Sequence, residues 1–307
     1  MTAPPNFPSI LILPGFGNVA SDYGSGLAGD GSDCLAGALS RRGFRVSVLP
    51  VSSRWEWARV ILLSLLNPAY WFGIAGIDSY RWYLDKVEAA LTAGGDGSGD
   101  DGGPVVLIGH SAGGWLARAY LALSVSGSLA AGRVAGLVTL GAPQAPPRDG
   151  ARCATGGALA SVVKAWGEAD VAVPVIAVAG RSVRGVAHPR PPKDSSGEAE
   201  PEQRRLSRAA RGSYLEVAVG AGSGRAGRNG VPPLAPPGVV LEGDGVVPLS
   251  HAVLPGPPER TTSIVVDGAM HSMSRVGSFE EPGGVPWVGG EGVVDHWLGE
   301  LVVAVGG

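Results

Sequence analysis

A serine in a glycine-rich turn is the residue of this sequence best suited to covalent chemistry. Residues 109–113 read Gly-His-Ser-Ala-Gly, which matches G-x-S-x-G, the pattern that presents a serine hydroxyl as a nucleophile. The apolar residues 105–108 before it predict a buried strand, and residues 112–123 have the composition and apolar spacing of a helix. A serine on such a strand-to-helix turn exposes its hydroxyl, and the two glycines let strand and helix approach closely. The sequence therefore predicts Ser111 as a nucleophile.

A serine hydroxyl needs a neighbouring base, and five histidines are available. His271 follows the last predicted strand, at the carboxyl edge where open parallel sheets bind their ligands. His251, which follows Pro-Leu-Ser at 248–250, is a weaker alternative. A packing or surface position is expected for the other three, His110, His188 and His296. We therefore expect His271 to take the proton of Ser111.

The base in turn needs an acid that fixes its orientation. Asp244 lies between two glycines and falls between Ser111 and His271 in the chain, which is the order nucleophile, acid, base that is typical of this motif. Four other carboxylates have less suitable settings: Glu242, Asp267, Asp170 and Asp149. Asp267 in particular is too close to the strand that carries His271 to orient it. We expect Asp244 to be the acid.

Nucleophilic attack on a carbonyl group creates an oxyanion, which needs backbone N–H donors already aimed at it. One donor is expected from Ala112, the residue after the nucleophile. The second is expected from the glycine-rich turn at 14–17, which follows the first predicted strand. Within that turn Phe16 is the preferred donor, and Gly17 is the alternative.

The composition narrows the classes of function. The formal net charge of −3 gives no reason to expect a nucleic-acid partner. The pair Gly15 and Gly17 lacks the third glycine of a dinucleotide-binding loop, which argues against a bound dinucleotide, and no cofactor is expected. No metal is expected either. The two cysteines do not assign a compartment. The high content of glycine (50 residues) and proline (25 residues) is attributed to long loops on a folded core. No obligate protein partner is inferred from the sequence.

The elements that must position these residues alternate between strand and helix. Short apolar runs predict strands at 9–14, 45–50, 105–108, 136–143, 173–180 and 261–267, and helical spacing predicts helices at 33–42, 78–91, 112–123, 158–166 and 292–305. Alternation of this kind is typical of an α/β fold with a doubly wound, mostly parallel sheet flanked by helices. A single domain over residues 1–307 is expected.

Two stretches depart from this alternation. Residues 54–77 are rich in tryptophan and leucine, but Arg59 and the break at Asn67-Pro68 argue against a membrane span. A core helix and a hydrophobic lid or cap are the two alternatives, and the second would allow contact with a membrane surface. Residues 181–238 are rich in Pro, Gly, Arg and Ser, and we expect a loop-rich excursion near the active site.

Taken together, these motifs resemble the α/β-hydrolase fold superfamily, specifically its lipase and esterase branch. The turn at 13–17 is similar to the oxyanion loop of bacterial lipases, although Pro14 stands where many of them have His. A closer resemblance is to α/β-hydrolases of plants, algae and cyanobacteria, through the stretches 67–71, 82–84 and 113–118. Chlorophyllases are related but usually have Arg where Ala112 stands, which makes chlorophyll a weak candidate substrate.

The resemblance implies a serine esterase or lipase that acts on carboxylic esters with an apolar, lipid-like acyl or alcohol group, through Ser111, His271, Asp244 and an acyl-enzyme. Acyl transfer by the same residues and a catalytically inactive binding scaffold are the alternatives. The plant relatives are often plastid-targeted, so a role in lipid metabolism in the chloroplast is one expectation. No secretory signal is visible before the first predicted strand, and the plastid and the cytoplasm both stay open as locations.

Overall fold

A parallel sheet of six strands organises the molecule. A computed structural model describes residues 1–24, 34–93, 102–124, 130–146, 154–169, 171–186, 240–254, 256, 259–272 and 286–306. The strands are β1 (Ser9–Leu13), β2 (Val46–Val48), β3 (Val105–His110), β4 (Val134–Leu140), β5 (Val175–Arg181), β6 (Val183–Val186), β7 (Val240–Gly243) and β8 (Thr261–Asp267). The main sheet has the order β2-β1-β3-β4-β5-β8, and every neighbouring pair is parallel.

Nine α-helices of the described residues connect or cover these strands. They are α1 (Ala20–Gly24), α2 (Leu35–Arg41), α3 (Trp55–Leu66), α4 (Pro68–Trp71), α5 (Arg81–Thr92), α6 (Ala112–Ser124), α7 (Ala158–Glu168), α8 (Leu249–Ala252) and α9 (Glu291–Gly306). Two short 3₁₀ helices, Ile77–Tyr80 and Ala131–Arg133, complete the set. Parallel strands require such crossovers, which explains why apolar strand runs alternate with helical patterns in the sequence.

The order of the strands defines the place where a ligand can bind. From β1 the chain continues to β2 on one side, whereas from β3 it continues to β4 on the other. The loops that leave the carboxyl ends of β1 and β3 therefore diverge and open a crevice between them. The turn after β1 and the residue Ser111 after β3 both lie at this crevice.

Apolar side chains fill both faces of the sheet because its central strands are buried on both sides. Leu11 and Leu13 of β1 belong to the layer formed with α3, α5, α6 and α7. Ile10 and Ile12 belong to the opposite layer, which is formed with α1, α2 and α9 and includes the fully buried Trp297. The alternation along β1 thus assigns each helix to one face of the sheet.

Residues 54–77 fold as α3 and α4, with the chain broken at Asn67 as the sequence predicts. The Asn67 side chain accepts a hydrogen bond from the N–H of Ala69 and so caps α4. Trp57 and Val60 of α3 are buried in the core, but many other large apolar side chains of this stretch are exposed. Hence the stretch is neither a simple core helix nor detached from the core. No helix among the described residues is long and apolar enough to cross a membrane.

A small second sheet was not expected from the sequence. β6 and β7 pair antiparallel, with Val183 opposite Gly243 and Val186 opposite Val240. The Pro, Gly, Arg and Ser content of residues 181–238 predicts a loop-rich excursion, whereas the structure has the strand β6 near its beginning. Residues 187–238 of that excursion lie outside the described part of the chain. The antiparallel pair carries the chain directly to Asp244.

Candidate active site

Ser111 occupies a sharp turn between β3 and α6. Its φ of 50° lies in the left-handed region, which residues other than glycine rarely adopt. The N–H of Ser111 donates to the carbonyl oxygen of Leu140 at 2.8 Å, which ties the turn to the neighbouring strand β4. Strained residues of this kind persist only where the surrounding structure fixes them. The strand, turn and helix predicted around Ser111 are therefore present, and the hydroxyl is presented at the end of the strand.

The glycines of the motif are required by the closeness of the backbone. A Cβ atom on Gly109 would lie 2.5 Å from the carbonyl oxygen of Gly113. A Cβ atom on Gly113 would lie 2.2 Å from the carbonyl oxygen of Leu13. No side chain larger than a hydrogen atom fits at either position without moving backbone. The close approach of strand and helix that the sequence predicts therefore extends to the end of β1.

Ser111, His271 and Asp244 form one continuous hydrogen-bonded line. The Nε2 atom of His271 lies 3.0 Å from Oγ of Ser111, and its Nδ1 atom lies 2.8 Å from Oδ2 of Asp244. Because an ionised carboxylate only accepts hydrogen bonds, Nδ1 carries the imidazole proton and Nε2 faces the serine hydroxyl as an acceptor. Asp244 has 0% and His271 has 5% of its surface exposed. The arrangement can remove the proton of Ser111 and stabilise the imidazolium that results.

The backbone around Asp244 holds its carboxylate in place. Oδ1 accepts hydrogen bonds from the N–H groups of Val246 and Val247, at 2.9 and 2.7 Å. The carbonyl oxygen of Asp244 also accepts from the N–H of His271 at 2.9 Å. Gly245 supplies the positive φ, 99°, that this tight turn requires. Asp244, which the sequence places between two glycines, thus lies in a tight turn that leaves its Oδ2 atom directed at His271.

The other candidate bases and acids occupy different positions. His251 lies in α8, where its Nδ1 atom is 3.1 Å from Oγ of the adjacent Ser250. His296 is exposed on α9, and Asp267 pairs with Arg181 at the surface. His188, Asp149 and Asp170 lie outside the described residues. Among the described histidines only His271 is hydrogen-bonded to Ser111.

The turn after β1 lies directly against the nucleophile. A Cβ atom on Gly15 would be 3.0 Å from Cβ of Ser111. Tyr83 donates its hydroxyl to the carbonyl oxygen of Pro14 at 2.8 Å, and the indole N–H of Trp57 donates to the carbonyl oxygen of Asn18 at 2.9 Å. This turn is therefore fixed at both ends before any substrate arrives.

The two predicted oxyanion donors are suitably free. In the part of the chain that the structure describes, neither the N–H of Phe16 nor that of Ala112 has a hydrogen-bond acceptor. Ala112 is the first residue of α6, so its N–H has no partner within the helix. The Phe16 ring is 47% exposed and packs against Trp57, with ring centroids 5.1 Å apart. The site can thus offer two N–H groups to a developing oxyanion.

Two polar residues near the site were not recognised from the sequence. His110 is buried as expected for a packing residue, but both of its ring nitrogens are hydrogen-bonded, to Tyr23 and to the backbone of His271. Tyr23 lies 87 positions earlier in the chain, so no local spacing indicates the contact. Burial and the neighbouring His271 lower the pKa of His110 to about 3, so its imidazole is neutral at physiological pH.

No group of metal-ligating side chains is found among the residues that the structure describes. The cofactor-free expectation from the sequence stays a prediction.

A family model that matches most of the chain agrees with this architecture. The model of the Alpha/beta hydrolase family matches residues 10–284. One similar solved structure, of a metagenomic carboxyl esterase, is 14% identical with a TM-score of 0.34 and covers 59% of this chain. The chain spans about half of that esterase, 52% of its length, and no curated protein matches. The narrower resemblance to plant, algal and cyanobacterial enzymes stays a prediction. From the family match, which covers most of the sequence, this chain belongs to the alpha/beta hydrolase family, and the predicted fold class is confirmed.

Proposed function

We propose that this hydrolase cleaves carboxylic esters through an acyl-enzyme on Ser111. The observation that carries the proposal is the unbroken hydrogen-bonded line from the buried Asp244 through His271 to Oγ of Ser111. A serine with an oriented base is the requirement for attack on a carbonyl carbon at neutral pH. The family match supports the coarser statement that the chain is a hydrolase.

The proposed reaction has two halves. In the first, Oγ of Ser111 bonds to the carbonyl carbon while its proton moves to Nε2 of His271. The oxyanion is held by the N–H groups of Phe16 and Ala112 until the alcohol leaves with the proton from His271. In the second half, water gives a proton to His271 and attacks the acyl carbon. The acid is released, Ser111 regains its proton, and Asp244 keeps His271 oriented throughout.

We propose an apolar acyl or alcohol group because Phe16, beside the nucleophile, contacts the segment that carries an exposed apolar surface. This apolar surface consists of the large side chains on and after α3 and α4 that are exposed: Trp55, Ile61, Leu62, Leu63, Leu66, Trp71, Phe72 and Ile74. Phe16, beside the nucleophile, connects to the same segment through its contact with Trp57. Exposed apolar patches of this extent are typical of surfaces that bind apolar molecules or interfaces. We also propose that residues 54–77 form a hydrophobic lid or cap and that this segment contacts a membrane surface.

The experiment is hydrolysis of p-nitrophenyl esters from acetate to palmitate, with Ser111→Ala as the test variant. The matched control is Ser40→Ala, which removes an exposed hydroxyl on α2. We expect Ser111→Ala to reduce kcat by about 10⁴-fold or more, because the nucleophile is lost, and Ser40→Ala to leave it unchanged. Activity that increases with chain length would support the lipid-like substrate. Retained activity in Ser111→Ala would contradict the proposed nucleophile.

Product analysis with added alcohols tests the alternative acceptor. Acyl transfer to the alcohol in excess of hydrolysis would assign the protein to acyltransferases, which use the same residues. A folded protein that neither cleaves any ester nor reacts with a fluorophosphonate at Ser111 would favour the inactive binding scaffold.

A further inference from the structure

A buried tyrosine is hydrogen-bonded to the turn that carries the proposed oxyanion donor. Tyr23, at the end of α1, is fully buried. Its Oη atom accepts a hydrogen bond from the N–H of Gly15 at 3.0 Å and from Nδ2 of Asn18 at 2.8 Å. Gly15 and Asn18 bracket Phe16, and the N–H of Asn18 donates to the carbonyl oxygen of Gly15 at 3.0 Å. One hydroxyl group thus closes the turn around Phe16.

His110 connects this tyrosine to the loop of the proposed base. Nδ1 of His110 lies 2.6 Å from Oη of Tyr23, and Nε2 lies 2.8 Å from the carbonyl oxygen of His271. Because a carbonyl oxygen only accepts, Nε2 carries the proton, and Nδ1 must therefore accept from the tyrosine hydroxyl. The low pKa of His110 agrees with this single neutral tautomer.

Three hydrogen bonds join Gly15, Tyr23, His110 and His271 in a line, and each group in the line donates to the next. The N–H of Gly15 donates to Tyr23, Tyr23 donates to His110, and His110 donates to the carbonyl oxygen of His271. Hydrogen bonds aligned in this way polarise one another and are stronger in a buried, weakly screened interior. The line joins the turn after β1, the strand β3, which ends at His110 directly before Ser111, and the loop after β8. These three segments carry the proposed oxyanion donor, nucleophile and base.

We propose that Tyr23 and His110 are positioning residues, which fix the distance between the oxyanion turn and the loop of His271. The inference rests on the proposed ester hydrolysis and deepens it. Without the hydroxyl of Tyr23, the N–H of Gly15 and the amide of Asn18 lose their buried acceptor, and the turn around Phe16 shifts to find others. Transition-state stabilisation by N–H groups depends on their exact aim, whereas the apolar contacts that bind substrate are less sensitive. The effect therefore falls on kcat more than on KM.

The test is Tyr23→Phe, with Tyr120→Phe as the matched control. Tyr120 of α6 is buried and donates its hydroxyl to Glu88, so the control also removes a tyrosine hydrogen bond, at a partly buried position nine residues further along the chain than Ser111. Both variants are assayed with p-nitrophenyl butyrate and for the rate of Ser111 labelling by a fluorophosphonate, well below their melting temperatures. We expect Tyr23→Phe to lower kcat and the labelling rate by about 10- to 100-fold, with KM within about threefold. For Tyr120→Phe we expect kcat and the labelling rate to stay within about twofold of the wild-type values.

A second pair of variants separates this role from general packing and serves if Tyr23→Phe does not fold. His110→Gln keeps an amide near the position of Nε2 and can still donate to His271, whereas His110→Ala keeps neither hydrogen bond. Because Tyr23 and His110 belong to one line of hydrogen bonds, we expect the kcat of His110→Gln to be at least about tenfold higher than that of His110→Ala. Equal kcat in the two variants would overturn the role of His110.

The outcomes for the two proposals are distinguishable. If Ser111→Ala abolishes hydrolysis and labelling while Tyr23→Phe keeps the wild-type kcat and labelling rate, the positioning role is wrong and ester hydrolysis stands. If Ser111→Ala keeps both activities, ester hydrolysis through Ser111 fails, and the positioning inference fails with it. A loss in Tyr23→Phe that Tyr120→Phe shares would also overturn it, because it would reflect stability alone.

Discussion

Ionisation of the His110 side chain opposes the folded state. Its imidazole is buried, and its two nitrogens already serve one donor and one acceptor. A second proton, on Nδ1, would find no acceptor, because the Tyr23 oxygen that it faces already accepts two hydrogen bonds. The proton would also add a positive charge beside His271, whose ring centroid is 5.0 Å from that of His110. The neutral form is therefore part of the folded structure, whereas an unfolded chain protonates the same residue near its usual pKa of about 6.5.

This difference predicts a pH dependence of stability. Between the usual pKa of about 6.5 and the folded pKa of about 3, the unfolded state binds more protons than the folded state, so stability falls as the pH falls through this window. Above it both states are neutral and the contribution vanishes. We expect the free energy of unfolding of the wild type to fall by about 1 kcal/mol more than that of His110→Gln between pH 6 and pH 5. Urea denaturation at each pH measures the difference.

The control for this prediction is His296→Gln, because His296 is exposed on α9. Its pH dependence should match that of the wild type. Parallel curves for the wild type and His110→Gln would mean that His110 is protonated in the folded protein as readily as in the unfolded chain.

At the scale of single residues, the sequence predicted what depends on neighbours in the chain. Ser111 and Asp244 are recognisable because glycines stand close to each of them in the sequence, two residues away on both sides of Ser111 and directly on both sides of Asp244. His271 is recognisable because it follows the last strand. The hydrogen bonds of His110 could not be predicted, since they join residues that only the folded sheet brings together. Whether Ser111, His271, Asp244, Phe16 and Ala112 act in catalysis stays a prediction.

At the scale of elements, the contact between α6 and the strands β1 and β3 leaves no free space. Gly113, near the start of α6, lies against the backbone of Leu13, and Gly114 would place a Cβ 2.5 Å from that of Ala142. Such contacts set how far the helix can approach the carboxyl end of the sheet, and thus where Ser111 stands. The glycines are needed for space rather than for flexibility.

Substituting Gly113 tests this packing. We expect Gly113→Ala to lower the free energy of unfolding by about 3 kcal/mol or more, since the added methyl group meets backbone and forces helix and strand apart. The matched control is Gly167→Ala in α7, where a Cβ meets nothing within 4 Å. That change should raise stability by about 0.5 kcal/mol through helix propensity. Equal denaturation midpoints for wild type and Gly113→Ala would contradict the close packing.

The elements themselves were predictable to different degrees. The strand Thr261–Asp267 has the predicted bounds, and the helices beside the sheet lie within a few residues of theirs. The antiparallel pair of β6 and β7 was missed, because short strands of mixed polarity have no distinctive period. For residues 54–77 the sequence left two alternatives open, since exposure depends on which face of α3 meets the core.

On the scale of the whole molecule, the exposed apolar side chains are unevenly distributed. Most of the large ones in the described chain belong to the apolar surface of α3 and α4. The beginning of α3 is anchored, because Arg54 pairs with Asp22 at 2.9 Å and Glu56 pairs with Lys86 at 2.9 Å. The exposed apolar side chains therefore lie on a segment whose beginning is held by ion pairs. This placement fits the proposed contact with an apolar interface.

Vesicle binding tests this surface. We expect the wild type to bind phosphatidylcholine vesicles, and the double variant Trp71→Gln and Phe72→Gln to bind about tenfold or more weakly, because two large apolar side chains are lost. Co-sedimentation measures the affinity. The matched control replaces two exposed apolar residues elsewhere, Leu123→Gln with Val303→Gln. Equal binding by both double variants would exclude the apolar surface as the contact.

The spread of the site along the chain has a consequence for biosynthesis. Ser111 and His271 are 160 positions apart, and His271 follows β8, the last strand of the main sheet in chain order. A growing chain therefore contains the turn of Ser111 long before His271 has been made. Under the proposed mechanism the hydroxyl of Ser111 has no base until β8 pairs with β5, so we expect ester cleavage to begin only once this edge of the sheet has formed.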